Sequence, residues 1–423
     1  MKSTTLRTVL IAFITLILGY YIGVNKITVD WKNFKPHVVV ASKEPPPSVT
    51  HVDFSPMWDV LAKVENNYYD KTAIDPQKLL NGAISGMVSS LDDPYTVYLP
   101  PKQNNDFKQG LAGTFSGIGA ELGMNGKQIV VVAPLDGSPA EKAGIKPGDA
   151  VLKVDGQQTF GWNLNQAVEK IRGPKGSPVK LTIQHKGETA SADVTITRDT
   201  IQTKSVTSWV KAIEGISEID KKSVPTAQQK NKIAYVRLSQ FGDTTNQEWV
   251  GIVNNFSMQI QKDKEIKGIV FDLRNNPGGY LDDALFISSD FLPVGKTVVI
   301  QEDRKKDRKS LNVSRRGLLL DVPVVILINK GSASASEIVA GALRDHKRAT
   351  LVGETSFGKG TVQAAEAIGE NGAGLHVTIA KWLTPNGTWV HQKGLTPDVE
   401  IAVDTKDQSH DVQLEKAILQ LLK

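Results

Sequence analysis

From Phe54 to Leu91 the apolar positions recur at helical spacing. Trp58, Leu61, Val64 and Glu65 share one face, and Leu79, Leu80, Ala83, Ile84, Met87 and Val88 share another. Asp75-Pro76 reads as an N-cap with proline in the first turn, and DDPYTVYLPP closes the segment with turn chemistry. Between about Gly110 and Thr200 the period shortens. Residues 129–132, 150–154 and 179–183 are strand-like runs bounded by glycine, proline and aspartate, with one helical stretch at 163–171. Beyond Ile201 strands and helices alternate. Residues 266–274 and 322–329 are nearly continuous apolar runs, as expected of strands buried on both faces, and each is followed by helical text. This order predicts an α/β fold with a parallel or mixed sheet. Two segments interrupt it. Residues 211–232 are expected as a surface insertion, and 303–316, with seven basic and two acidic residues, as a solvated loop.

The N-terminus has a different pattern. Lys2 and Arg7 precede 17 residues, Thr8 to Val24, without a charge. That length is near the lower limit for a spanning helix and long for the core of a signal peptide. Tyr20 and Tyr21 stand where a small-residue cleavage site would be, and the flanking cations favour a cytoplasmic N-terminus with the rest exported. The expectation is one uncleaved membrane anchor, with a cleaved signal as the alternative and a buried helix as the third. ASKEPPPSV, residues 41–49, reads as a stiff tether.

Composition removes more than it adds. The 423 residues carry a net charge of +5, too mild to argue for nucleic acid. The absence of cysteine rules out disulfides, thiolate catalysis and cysteine zinc sites. No HExxH occurs, and the Gly-x-Gly runs lack the remainder of GxGxxG, so no metal or nucleotide cofactor is expected.

Candidate chemistry concentrates in GSASASEIVAGALRD, residues 331–345. The serines follow a buried strand and precede a helix whose Ile338, Val339, Ala342 and Leu343 share a face. A strand-to-helix turn exposes a side chain at the C-terminal edge of a sheet and aims free N–H groups there. The simpler reading is a capping box, Ser334 with Glu337. A nucleophile needs a base. His346, His376 and His391 lie in no distinctive motif, whereas Lys359 sits in the glycine-rich GETSFGKGTVQ with Gln363 four residues on. Burial can depress a lysine enough to make it a base.

These blocks, with FDLRNNPGG and the later LTPNG and GLTPD, resemble the carboxyl-terminal processing peptidases, or tail-specific proteases. FSGIGAEL and SPAEKAGIKPGDAVLKVDG resemble a bacterial-type PDZ module. The resemblance covers nearly everything after Asp53. It implies a crotonase/ClpP-like α/β protease core with an inserted PDZ domain and N-terminal helices. The implied division is an anchor or signal at 8–24, a Pro-rich linker at 25–50, helices at 51–107, the PDZ domain at 108–200 and the protease core at 201–423. It implies a Ser–Lys endopeptidase in which Ser334 is the nucleophile and Lys359, 25 residues on, the base, with Gln363 supporting it. The oxyanion would be met by the backbone N–H of Ala335 and of Gly278 or Gly279; Glu337 is left between cap and site support. The PDZ loop Ser116-Gly117-Ile118-Gly119 and strand Ala120-Glu121-Leu122 would capture a substrate's C-terminal tail. The implied partners are exported proteins with accessible tails, acted on outside a bacterial membrane that the anchor spans once. The oligomeric state is left open. Competing readings are a catalytically silent, membrane-tethered PDZ scaffold and a different hydrolase on the same core.

Overall fold

The computed structural model describes residues 51–135, 137–404, 407 and 409–423, together with 13–17, 27–32, 35–40 and 48. Most of the expected anchor, 8–24, and all but one residue of the tether, 41–49, lie outside the described residues. Among the described residues no helix is long and apolar enough to cross a membrane. The chain falls into two units, 1–80 and 81–423.

In the first unit, Ile27–Lys32 and Lys35–Val40 pair antiparallel within the span expected to be linker. Helices follow at Ser55–Asn67 and, running on past residue 80, at Pro76–Ser89. Asp75 caps the second: its Oδ1 accepts from Gln77 N and Lys78 N at 2.9 and 3.2 Å. The helical spacing holds, but burial of its apolar face does not follow. Trp58, Leu79, Leu80 and Met87 are exposed, and Val88 alone of the second set is buried.

Residues 114–202 form the small β-rich module. Its main sheet runs in the order 192–197, 178–184, 150–154, 128–134, 120–125, all antiparallel. Strand Ala120–Asn125 is therefore an edge. Helix Leu164–Ile171 starts at a true capping box, Asn163 and Gln166 each accepting the other's backbone N–H at 2.9 Å. Ile129, Val131, Val151, Ala167, Val179 and Leu181 fill the core. A second ladder pairs Thr114–Gly117 with Asp199–Gln202.

The remaining chain builds a six-stranded sheet in the order 206–212, 232–238, 266–272, 324–328, 349–353, 399–400. The first pair is antiparallel and the rest are parallel. The apolar runs alternate between two cores, as strands covered on both faces must. Ile269, Phe271, Val324 and Ile326 pack with helices Thr245–Lys262, Leu281–Ser288 and Ala335–Asp345. Val270, Val325 and Leu327 pack on the other side with helix Val412–Leu421. A second, antiparallel sheet runs 308–312, 297–303, 373–383, 361–368.

Two expectations need correcting. Residues 211–232 lie at the surface, as expected, but are not free of the core: Ile213, Ile216, Ile219 and Val224 are buried against Leu414, Ala417 and Ile418, and close the second core. The stretch was misjudged because its lysines are numerous while its apolar residues are spaced irregularly, through three short 3-10 turns. Residues 303–316 are largely exposed, as expected, but they are not a loop. Thr297–Asp303 and Arg308–Asn312 form a hairpin, in which Arg308 Nε donates to Glu302 at 2.7 Å. Arg315 pairs with the buried Asp290 at 2.5 Å. The basic residues are in part cross-strand and core partners.

Ile216→Ala should cost about 3 kcal/mol, the usual price of a large-to-small change in a core. It should lower the urea midpoint of the 201–423 core, whereas a solvated segment would lose less than about 0.5 kcal/mol.

Candidate active site

Strands 266–272 and 324–328 are parallel neighbours, with Asp272 opposite Leu327, so their C-terminal turns meet at one edge of the sheet. The first turn carries Asn276, Gly278 and Gly279, and the second carries residues 331–336. The members of the serine run divide cleanly. Ser332 Oγ donates to Leu273 O at 2.8 Å and accepts from Asn329 N; Ser336 Oγ donates to Asn276 O and Ala333 O. Both are buried and tie the two turns together. Ser334 is half-buried, at the cap of helix Ala335–Asp345, with φ 54° and ψ −116°. That conformation costs an L-residue about 1–3 kcal/mol and persists only when its surroundings impose it.

Glu337 imposes it. This carboxylate is 1% exposed. Oε2 accepts from Ser334 N at 2.8 Å and from Lys359 N at 2.9 Å; Oε1 accepts from Ser356 Oγ at 2.6 Å and Gly358 N at 2.7 Å. Burial raises its pKa, against the pull of these four donors. The lysine loop is thus fastened to the serine turn through the residue left undecided by the sequence. Glu337 is both the helix's third residue and a support of the site.

Lys359 is partly buried, and burial lowers its pKa, opposed by the negative charges of Asp93 and Glu337. Its carbonyl accepts from Trp382 Nε1 at 2.8 Å. Its Nζ lies 5.1 Å from the centroid of the Tyr95 ring. No hydrogen bond joins Nζ to Ser334 Oγ in this structure. Gln363 Nε2 donates to Thr361 Oγ1 and Thr378 Oγ1 at 2.9 and 3.1 Å, rather than holding the lysine. Tyr95 was missed because DDPYTVYLPP reads locally as a turn; only the fold carries it to Lys359.

Of the expected oxyanion donors, Gly278 lies against the serine: a Cβ there would be 2.8 Å from Ser334 Cβ and 2.9 Å from Ala335 N. Its own N–H, however, donates to Asn276 Oδ1 at 2.8 Å and is not available to a ligand. Among the described residues, Ala335 N and Gly279 N have no such partner. In the small module, Ser116 and Gly117 belong to a strand, opposite Thr200 and Asp199, not to an open loop. Only Ile118 and Gly119 lie between strands, Gly119 with φ +72°. Among the described residues, neither N–H has a hydrogen-bond acceptor. Ala120, Glu121 and Leu122 lie on the edge strand that follows.

Fold and site together fit a hydrolase of the serine type, with a strained serine turn at the C-terminal edge of a parallel sheet. Comparison with known proteins agrees. The pattern of Peptidase family S41 matches residues 232–401, that of a PDZ domain 130–185, and that of the activating protease CtpB N-terminal domain 19–102. A carboxy-terminal-processing protease of Bartonella bacilliformis is 39% identical over 372 residues, covering 88% of this chain and 80% of that protein. Carboxy-terminal processing protease CtpB of Bacillus subtilis is 36% identical over 404 residues, covering 95% and 78%. CtpA of the same organism is 39% identical over 338 residues, and the match spans 66% of its length. A candidate S41 protease of Bacteroides fragilis shares the fold, at TM-score 0.56 and 16% identity, covering 90% of this chain and 100% of that one. The chain belongs to the carboxy-terminal processing proteases, serine-type peptidases of family S41.

Gly278→Ala tests the contact between the turns. Its φ of +94° and the 2.7 Å approach of Ala333 O leave no room for a methyl group. Turnover should fall about 100-fold through displacement of Ser334. Wild-type turnover in a folded variant would show that the turns can separate harmlessly.

Proposed function

We propose that this protease cuts proteins near their C-termini with Ser334 as nucleophile and Lys359 as base. The observation that supports it most is the single carboxylate oxygen of Glu337, which accepts the backbone N–H of both residues and so holds their loops side by side. Neutral Lys359 accepts the Ser334 proton as Oγ attacks the peptide carbonyl, then passes it to the leaving amine. A water activated by the same amine hydrolyses the acyl-enzyme. The tetrahedral oxyanion is met by the N–H of Ala335, and by that of Gly279 in place of Gly278. Since Nζ now lies over Tyr95, it must turn from the ring to the hydroxyl before transfer. Gln363 acts through the threonines it holds, not by direct contact with the amine in this state.

The PDZ module would present tails to this site. The free edge of Ala120–Asn125 accepts an extended peptide as a further strand, and the N–H groups of Ile118 and Gly119 suit a terminal carboxylate. We also read residues 8–24 as an anchor or export signal, on the strength of the uncharged run and its preceding cations. The catalytic part would then work outside the cytoplasm, on exported proteins.

Ser334→Ala and Lys359→Ala should each lower kcat/KM on a tailed protein by about 10³-fold or more. Wild-type rates in both would end the Ser–Lys reading. Wild-type kcat/KM should rise with pH, because the active base is the deprotonated amine, and should level off below the ordinary lysine range. Amidation of the substrate's terminal carboxylate should raise KM about tenfold, the loss of roughly one charged hydrogen bond. An unchanged KM would remove the PDZ module from tail capture.

A further inference from the structure

The Ser–Lys reading uses Glu337 to hold the two loops side by side, and leaves open what fixes Glu337 itself. We infer that Ser356 and Glu337 form a positioning clasp, which sets the Lys359 loop against the Ser334 turn and works only with the carboxylate ionised. The inference rests on that reading and adds residues that touch no substrate.

The clasp is visible in the direction of each hydrogen bond. Leu395 N donates to Ser356 Oγ at 2.6 Å, which fixes that hydroxyl as an acceptor on one side. Its proton therefore points to Glu337 Oε1, 2.6 Å away. Ser356 N returns a bond to Leu395 O at 3.1 Å, so the 390–396 loop is locked to the same point. Both side chains are more than nine-tenths buried. Glu337 thus meets four donors: three backbone N–H groups and one hydroxyl. A carboxylate has about four lone-pair directions, so all are occupied and no place is left for a proton. The amide nitrogens of Ser334 and Lys359 bind one oxygen at 2.8 and 2.9 Å, so they cannot lie farther apart than those two bonds end to end.

Glutamine is not an isostere in this setting. Whichever way its amide is placed, the NH₂ faces a backbone N–H: Gly358 on one side, Ser334 and Lys359 on the other. In either placement at least one tie of the lysine loop to residue 337 becomes a clash of donors. Loss of the Ser356 hydroxyl is milder, since it frees one carboxylate lone pair and strands the buried Leu395 N–H. The glycines show how little slack exists. A Cβ on Gly358 would lie 2.8 Å from Gly394 N and 2.9 Å from Val390 O. The lysine loop is pressed between the clasp and the 390–394 turn, and cannot shift without breaking one or the other.

The charge has a second consequence. Glu337 and Asp93 both favour the ammonium form of Lys359. The other titratable groups in the neighbourhood are Tyr95, which feels Glu337 and Asp93, His376, which feels Lys359, and His391, which acts on Asp93. Removal of the Glu337 charge lets the amine lose its proton at lower pH; removal of the Ser356 hydroxyl leaves that charge in place.

The test uses the full chain and a tailed protein substrate, with melting temperatures recorded for every variant. Ser356→Ala should lower kcat about tenfold with KM little changed and the pH limb of kcat/KM unmoved, as expected of one lost hydrogen bond. Glu337→Gln should lower kcat about 100-fold, the effect of ångström-scale misplacement, and shift that limb to lower pH. A loss in KM alone, or a limb unmoved in Glu337→Gln, would overturn the clasp. If Glu337→Gln does not fold, Ser356→Ala decides: wild-type kcat in that variant refutes the inference. Ser334→Ala and Lys359→Ala run alongside. Activity in those two sinks the Ser–Lys reading itself, whereas their inactivity beside fully active Ser356→Ala and Glu337→Gln sinks only the clasp.

Discussion

The site depends on the parallel pairing of strands 266–272 and 324–328. Parallel neighbours end at the same edge, so the residues that follow them must share a small space. Here the sharing is close. Ala333 N donates to Asn276 O at 2.9 Å, and Ser336 Oγ donates to the same carbonyl at 2.9 Å. Asn276 in turn reaches back to Leu238 O, at the end of the next strand, at 2.9 Å. Three successive strand ends are therefore cross-linked by one asparagine. This junction fixes the turn bearing Gly278, while Glu337 holds the positive φ of Ser334 beside it.

Much of this was legible in the chain, for reasons that can be stated. The buried strands show as unbroken apolar runs because both faces are covered, and that pattern depends only on composition along a few residues. The lysine was legible because glycines flank it and because its distance from the serine run matches a known arrangement. Other features could not be read locally. Tyr95 lies 264 residues before Lys359 in the chain, and its role is made by folding alone. Gly278 and Gly279 look interchangeable as donors, yet a side chain two residues back captures the N–H of one. Ser116 and Gly117 look like loop residues because serine and glycine favour turns, but their pairing with Thr200 and Asp199 draws them into a strand. Residues 213–224 look solvated because their lysines are easier to see than four scattered apolar residues.

The C-terminal helix shows how the far side of the sheet bears on the edge. Asp272, wholly buried at the end of its strand, accepts from Tyr235 Oη at 2.7 Å and from Arg274 at 2.6 Å. Arg274 also grips Asp411, the cap of helix Val412–Leu421, at 2.8 Å. A buried carboxylate left without these partners would be costly, so each member holds the others. The turn bearing Gly278 begins one residue after Arg274. The second core is thus coupled to the edge that bears the serine turn through charge as well as packing.

Opposed effects act on the lysine. Burial favours the neutral amine, while Asp93 and Glu337 favour the ammonium, and burial prevails. A face of Tyr95 near the amine also favours the cation. The protonated amine is therefore at home over the ring, and the neutral amine is freer to leave it. The carboxylate that opposes the neutral form is the one that aligns the loops, so its charge is a necessary cost of the geometry. Burial around Lys359 outweighs that charge, so the same carboxylate aligns the loops while the pKa of the amine stays lowered.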